Sequence, residues 1–135
     1  MIVIVCLDNA DGIMFNHRRQ SRDANLIKDV ELMVDGNTLL LNSYSAPLFD
    51  GTNVKLKISE SFLSEAGDSD FCFVENVPAK DYENQISKLI IYKWNRDYPS
   101  DYYFDIDYVS NFKLKSSEDF TGTSHDSITK EVYVK

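Results

Sequence analysis

The chain opens on an unbroken apolar run, Ile2 to Leu7, rich in β-branched residues. Such a run predicts a strand covered on both faces. The polar segment Asp8-Asn9-Ala10-Asp11-Gly12 then predicts a turn. Leu26, Ile27, Val30, Met33 and Val34 recur at helical spacing, with Ser21 or Asn16 as N-cap and Gly36 as the residue that closes the helix. Thr38 to Leu41 predicts a short buried strand, and Val54 to Ile58 alternates apolar residues with lysines, as on a strand with one wet face. A helical turn over Ser59 to Glu65, a strand over Phe71 to Val74 and a short helix over Pro78 to Gln85 follow. Leu89 to Trp94 predicts a strand. The pattern then changes to strict alternation in Phe112 to Ser116 and Ile128 to Val134, which reads as an antiparallel hairpin around a polar loop. The order predicts a single α/β domain over residues 1–135. Its sheet is mixed and mostly parallel, flanked by a few helices and ending in an antiparallel β-hairpin.

Composition agrees with a packed domain: 43% of the residues are hydrophobic and 13% aromatic, with only 5 Gly and 3 Pro to make linkers. The formal net charge of -8, from 22 acidic against 14 basic residues, argues against general nucleic-acid binding. No apolar run reaches the ~18 residues of a membrane span, and no secretory leader is recognised, so a cytoplasmic protein is expected. Cys6 and Cys72 each sit in an apolar run, where a buried thiol is inert and a disulfide needs neighbouring strands. Asp97, Asp101, Asp105 and Asp107 read as a solvated acidic loop.

Against this acidic background His17, Arg18, Arg19 and Arg22 crowd into six residues. Placed where a helix begins, they repel its dipole, which suggests that they hold something negative. Arg18 and Arg22 would share a helical face, and planar guanidiniums suit phosphate or carboxylate. The four residues form the candidate anion or small-ligand site, and an internal clamp onto Asp23, Asp29 or the late acidic segment is the rival reading. Trp94, Tyr98, Tyr102, Tyr103 and Tyr108 form the candidate surface for self-association. His125 invites a Ser-His-Asp reading with Ser124, Ser127 and Asp126, but sequence neighbours in one loop do not supply the convergence a triad needs. With only His17 and His125, the chain lacks the ligand cluster of a two-zinc hydrolase, and no metal is predicted.

The order of elements resembles dihydrofolate reductase. The resemblance rests on Lys88-Leu-Ile-Ile-Tyr-Lys-Trp-Asn, Asp101-Tyr-Tyr-Phe104, Asn111-Phe-Lys-Leu114 and the tyrosine-bearing strand Ile128 to Val134. At the front it rests on Ile2 to Leu7, Gly12-Ile13, Asp23-x-x-x-Ile27-Lys28 and Leu39 to Ser45. It implies that Asp23 is the carboxylate that holds a pterin ring, a weak catalytic candidate. It also implies an NADPH site, and there the sequence departs. Glu75-Asn76 stands where the family has Gly-Gly, and Asn42-Ser43 where it has Gly-Arg. Glycine is needed for close backbone approach to phosphate. The reading is therefore a reductase-like scaffold with no predicted cofactor and no NADPH-dependent reduction. A divergent NADPH-dependent pterin reductase and a structural or interaction module are the alternatives.

Overall fold

The computed structural model describes all 135 residues. Its centre is β1 (Ile2–Leu7), paired in parallel on one side with β6 (Phe71–Phe73) and on the other with β7 (Lys88–Lys93). Beyond β6 lie β4 (Thr38–Leu41) and the edge strand β5 (Lys55–Ile58), also parallel. Beyond β7 lie β10 (Ile128–Val134) and β9 (Lys113–Phe120), both antiparallel. The order β5-β4-β6-β1-β7-β10-β9 is the mixed, mostly parallel α/β sheet with the C-terminal hairpin that the sequence predicts.

Period-two alternation sends β1 to both faces. Val3, Val5 and Leu7 pack with Leu40, Cys72, Val74, Leu89 and Ile91 on one face, under Ile13, Phe62, Ile106 and Tyr108. Ile4 packs on the other face with Leu39, Leu41, Phe73, Ile90 and Trp94. That face is covered by Leu26, Val30 and Val34 of α1 (Ala24–Met33) and by the 3-10 turn Ala46–Phe49. Ordinary alternation along β10 sends Ile128 and Val132 to the second core and Tyr133 to the first, against Tyr108, while a β-bulge opposite Val132 and Tyr133 places the extra residue, Lys115, in β9. Burial and the Glu131 carboxylate push the Tyr133 hydroxyl up to about 12.

A second, three-stranded sheet has no counterpart in the sequence reading: β2 (Gly12–Phe15) lies between β3 (Arg18–Arg19) and β8 (Tyr102–Tyr103). Asn16 and His17 join β2 to β3 with φ of 51° and 62°, the left-handed pair that a two-residue hairpin turn demands. This corrects the placement of the basic segment. Arg18 and Arg19 lie on a strand and α1 starts at Ala24, so the cations do not sit on a helix start and share no helical face. Neither Ser21 nor Asn16 caps α1. Asp23 does, accepting from Asn25 and Leu26 N–H.

The aromatic run is also relocated. Trp94 and Tyr108 are core residues, Tyr98 and Tyr102 are partly buried, and only Tyr103 is exposed. Of the late acidic residues, Asp97, Asp101 and Asp107 are exposed, as expected of a solvated loop, and they also make specific contacts. Asp101 accepts from Asn16 N–H, Asp105 from Ala79 and Lys80 N–H, and Asp107 caps α3 (Tyr108–Asn111). The two cysteines are free. Burial pushes both thiols up, Cys72 to about 12. No helix is long and apolar enough to cross a membrane.

Candidate functional site

A small cavity lies between α1 and the strand ends, where the end of the parallel sheet meets the loop leading into α1. Cys6, Phe73, Trp94, Leu26 and Ile27 supply its apolar wall, and Arg19, Gln20, Ser21, Arg22, Asp23 and Glu75 its polar one. Its volume is about 20 Å³, room for about one water molecule. Two polar networks close it.

The first is centred on Glu75. Arg19 donates to its carboxylate through Nε and Nη2, each at 2.9 Å, a bidentate fork. Ser45 Oγ donates to the same carboxylate at 2.7 Å. The Arg19 guanidinium also lies over the Tyr44 ring, 4.6 Å from its centroid, and Tyr44 Oη accepts from Arg19 N–H. Next door, Asn42 Nδ2 donates to Asn76 Oδ1 at 2.7 Å, and Asn42 Oδ1 accepts from Ser45 N–H. The segments Asn42–Ser45 and Glu75–Asn76 are thus tied directly to each other, and Arg19 is tied to both.

The second network is centred on Asp23, which is buried. Its Oδ1 accepts from Asn25, Leu26 and Thr123 N–H, and its Oδ2 from Ser124 N–H, Ser124 Oγ and His125 Nδ1. Burial pushes this carboxyl up, but the Ser124 and Thr123 N–H groups and His125 outweigh it and hold it well below the usual carboxylate range. A Cβ on Gly122 would meet Asp23 Oδ2 at 2.4 Å, so only glycine lets the hairpin loop approach this closely. His125 itself is buried and stacked on Trp94 at 4.5 Å between ring centroids. Its Nε2 faces two hydroxyls, Tyr98 Oη at 2.9 Å and Ser21 Oγ at 3.2 Å.

A third cluster anchors the loop from the other side. Asp8 accepts from Ala10 and Gly12 N–H and Gln20 Nε2, each at 2.8 Å, and from Ser100 Oγ. Burial opposes ionisation of Asp8, but the Ser100, Gly12 and Ala10 donors prevail and lower its pKa.

The four residues of the predicted anion site are therefore not one constellation. Arg19 is consumed by Glu75, a partner not among those considered, and Asp29 is engaged by Tyr92 and Lys130. Arg22 lines the small cavity and makes no ion pair, and Arg18 is exposed. His17 lines a separate open cleft of about 410 Å³ with Met14, Asn76, Asp101 and Tyr102. Asp23, the carboxylate expected from the resemblance to hold a pterin, accepts from donors of its own chain on both oxygens. His125, set aside when only its loop neighbours were weighed, is met instead by Asp23 and Ser21 from the opposite end of the chain. No group of three or more His, Cys, Asp or Glu is placed to hold a metal ion.

No family model and no curated protein matches the chain. Among solved structures, a dihydrofolate reductase from Enterococcus faecalis, complexed with NADP(H) and RAB-propyl, superimposes with a TM-score of 0.67. The match covers 98% of this chain and 94% of that one at 14% sequence identity. The fold is dihydrofolate-reductase-like. At that identity the match carries the architecture and no more. Of the positions where the chain departs from the family pattern, Asn42, Glu75 and Asn76 form a single hydrogen-bonded unit through Ser45.

Proposed function

We propose that this chain is a dihydrofolate-reductase-like binding domain that does not carry out NADPH-dependent reduction. The single observation that supports this reading is the Arg19–Glu75–Ser45 network. The E. faecalis reductase is complexed with NADP(H). By the family resemblance, this chain's Glu75 segment corresponds to the one that grips cofactor phosphate. A buried carboxylate there repels a pyrophosphate, and the arginine beside it is already neutralised in a bidentate pair. The neighbouring cavity of about 20 Å³ is too small for a pterin or a nicotinamide.

The ligand in this reading is a small anion at Arg22. That guanidinium lies at the cavity wall, is exposed and has no carboxylate partner, whereas Arg19 serves the fold. Thermal melting with inorganic pyrophosphate tests it. A ligand at 100 times its Kd stabilises by about 2.7 kcal/mol, which is a rise of several degrees in a domain of this size. The rise is expected to disappear in Arg22→Ala, whose own stability stays within about 0.5 kcal/mol of the parent. A shift equal in the two proteins would overturn the assignment to Arg22.

A further inference from the structure

We propose that Ser21, His125 and Asp23 form an acyl-transfer site in which Ser21 is the nucleophile for activated esters. This goes beyond the binding reading and does not depend on it. Three separate segments supply the residues: Ser21 from the loop before α1, Asp23 from the α1 cap, and His125 from the hairpin loop 104 positions after Ser21.

A carboxylate accepts only, so the 3.0 Å contact with Asp23 Oδ2 places a proton on His125 Nδ1. The neutral ring then presents the lone pair of Nε2 to Ser21 Oγ at 3.2 Å, the tautomer and reach required of a general base. Trp94 stacks on the ring and Asp23 is held by five further donors, so the imidazole has one orientation. Tyr98 Oη shares the lone pair at 2.9 Å. The Ser21 and Arg22 backbone N–H groups, the two adjoining Ser21 along the chain, make no hydrogen bond within the chain. Gln20, on the same cavity wall, carries a buried Oε1 with no donor. Its Nε2 is committed to Asp8, Pro99 O and Ser100 Oγ, so the amide cannot turn over to satisfy that oxygen.

In the acylation step the Ser21 hydroxyl proton passes to His125 Nε2 while Oγ bonds to the ester carbonyl carbon. The carbonyl electron pair moves to its oxygen, which accepts from the Arg22 N–H. Collapse restores the carbonyl and expels the leaving group. His125 is too buried to protonate a distant alkoxide, so the class is restricted to acyl donors whose leaving group departs as a stable anion, a phenolate or thiolate. His125 Nε2 gives its proton up to solvent through the partly buried Tyr98 hydroxyl 2.9 Å away, which takes this proton as it releases its own. Water then attacks acyl-Ser21, gives one proton through His125 to the departing Oγ, and releases the acid.

The probe is 4-nitrophenyl acetate. The expected result is a burst of nitrophenolate equal to the protein concentration, with an acetyl group on Ser21 by peptide mass spectrometry. Ser21→Ala, which removes one partly exposed hydroxyl, should abolish the burst with the melting temperature unchanged. Asp23→Asn keeps a helix-capping side chain but offers an amide donor to Nδ1, so the burst rate should fall at least tenfold at a temperature where both proteins are folded. Acetylation confined to lysines, or a burst that survives Ser21→Ala, would overturn the proposal. So would a burst rate in Asp23→Asn equal to that of the parent.

Discussion

The Arg19–Glu75 clamp and the Asp23–His125 pair border the same cavity and are built from the same kinds of group, a buried carboxylate and a nitrogen donor, yet they end differently. Glu75 receives the arginine fork and a serine hydroxyl, and the far side of the guanidinium rests on Tyr44. Every strong group there is satisfied by its neighbour. Asp23 is saturated as well, but His125 passes the network onward to an Nε2 that faces two hydroxyls with one lone pair. A network whose ends are all matched holds loops together. A network with a basic nitrogen left beside a hydroxyl can also move a proton. Chemistry is therefore placed at Ser21 and rigidity at Glu75.

The largest effect is expected from cutting the saturated carboxylate of the second network. Asp23→Ala removes the α1 cap and six accepted hydrogen bonds and leaves His125 buried without its partner, a loss of about 4 kcal/mol in chemical denaturation. Glu75→Gln keeps the shape of the clamp and some of its hydrogen bonds but removes the charge facing Arg19, and should cost about 2 kcal/mol. If Glu75→Gln proved the more damaging, the division between a doubly anchored cap and a clamp would fail.

Acid separates the networks more finely. The Asp23 pKa is lower in the folded chain than the ~3.9 of an unfolded aspartate. Its contribution is fully present above the unfolded value and is lost as pH falls toward the folded one. Asp8 acts in the same direction. Denaturation midpoints measured from pH 6 down to pH 3 should fall more steeply for the parent chain than for Asp23→Asn. Parallel slopes would mean that folding does not lower the Asp23 pKa.

The main sheet and its hairpin were legible because the β-branched run Ile2 to Leu7 marks a buried strand and the strict alternation of Ile128 to Val134 marks a strand with two unlike faces. The small sheet was not. β3 is two residues long, and its turn uses Asn16 and His17 in left-handed conformations that resemble any polar loop in one dimension. That error made Arg18 and Arg19 look like a helix start. The candidate site was half legible for a related reason. The resemblance drew attention to Glu75 and Asp23, but their partners, Arg19 and His125, are separated from them by 56 and 102 positions, and nothing local signals such pairs. Gly122 was the one available hint, a glycine in the hairpin loop whose missing side chain makes room for Asp23.

The central claim, that the chain's own side chains occupy the cofactor and substrate places of this fold, is tested most directly through Trp94. It is the single tryptophan, it lines the cavity and it stacks on His125. NADPH titrated to millimolar concentration, with and without dihydrofolate, should leave both its emission and the melting temperature unchanged, and the nicotinamide absorbance should not decay. A saturable change in Trp94 emission with a rise in melting temperature would contradict the account, the more so if the absorbance then fell on adding dihydrofolate.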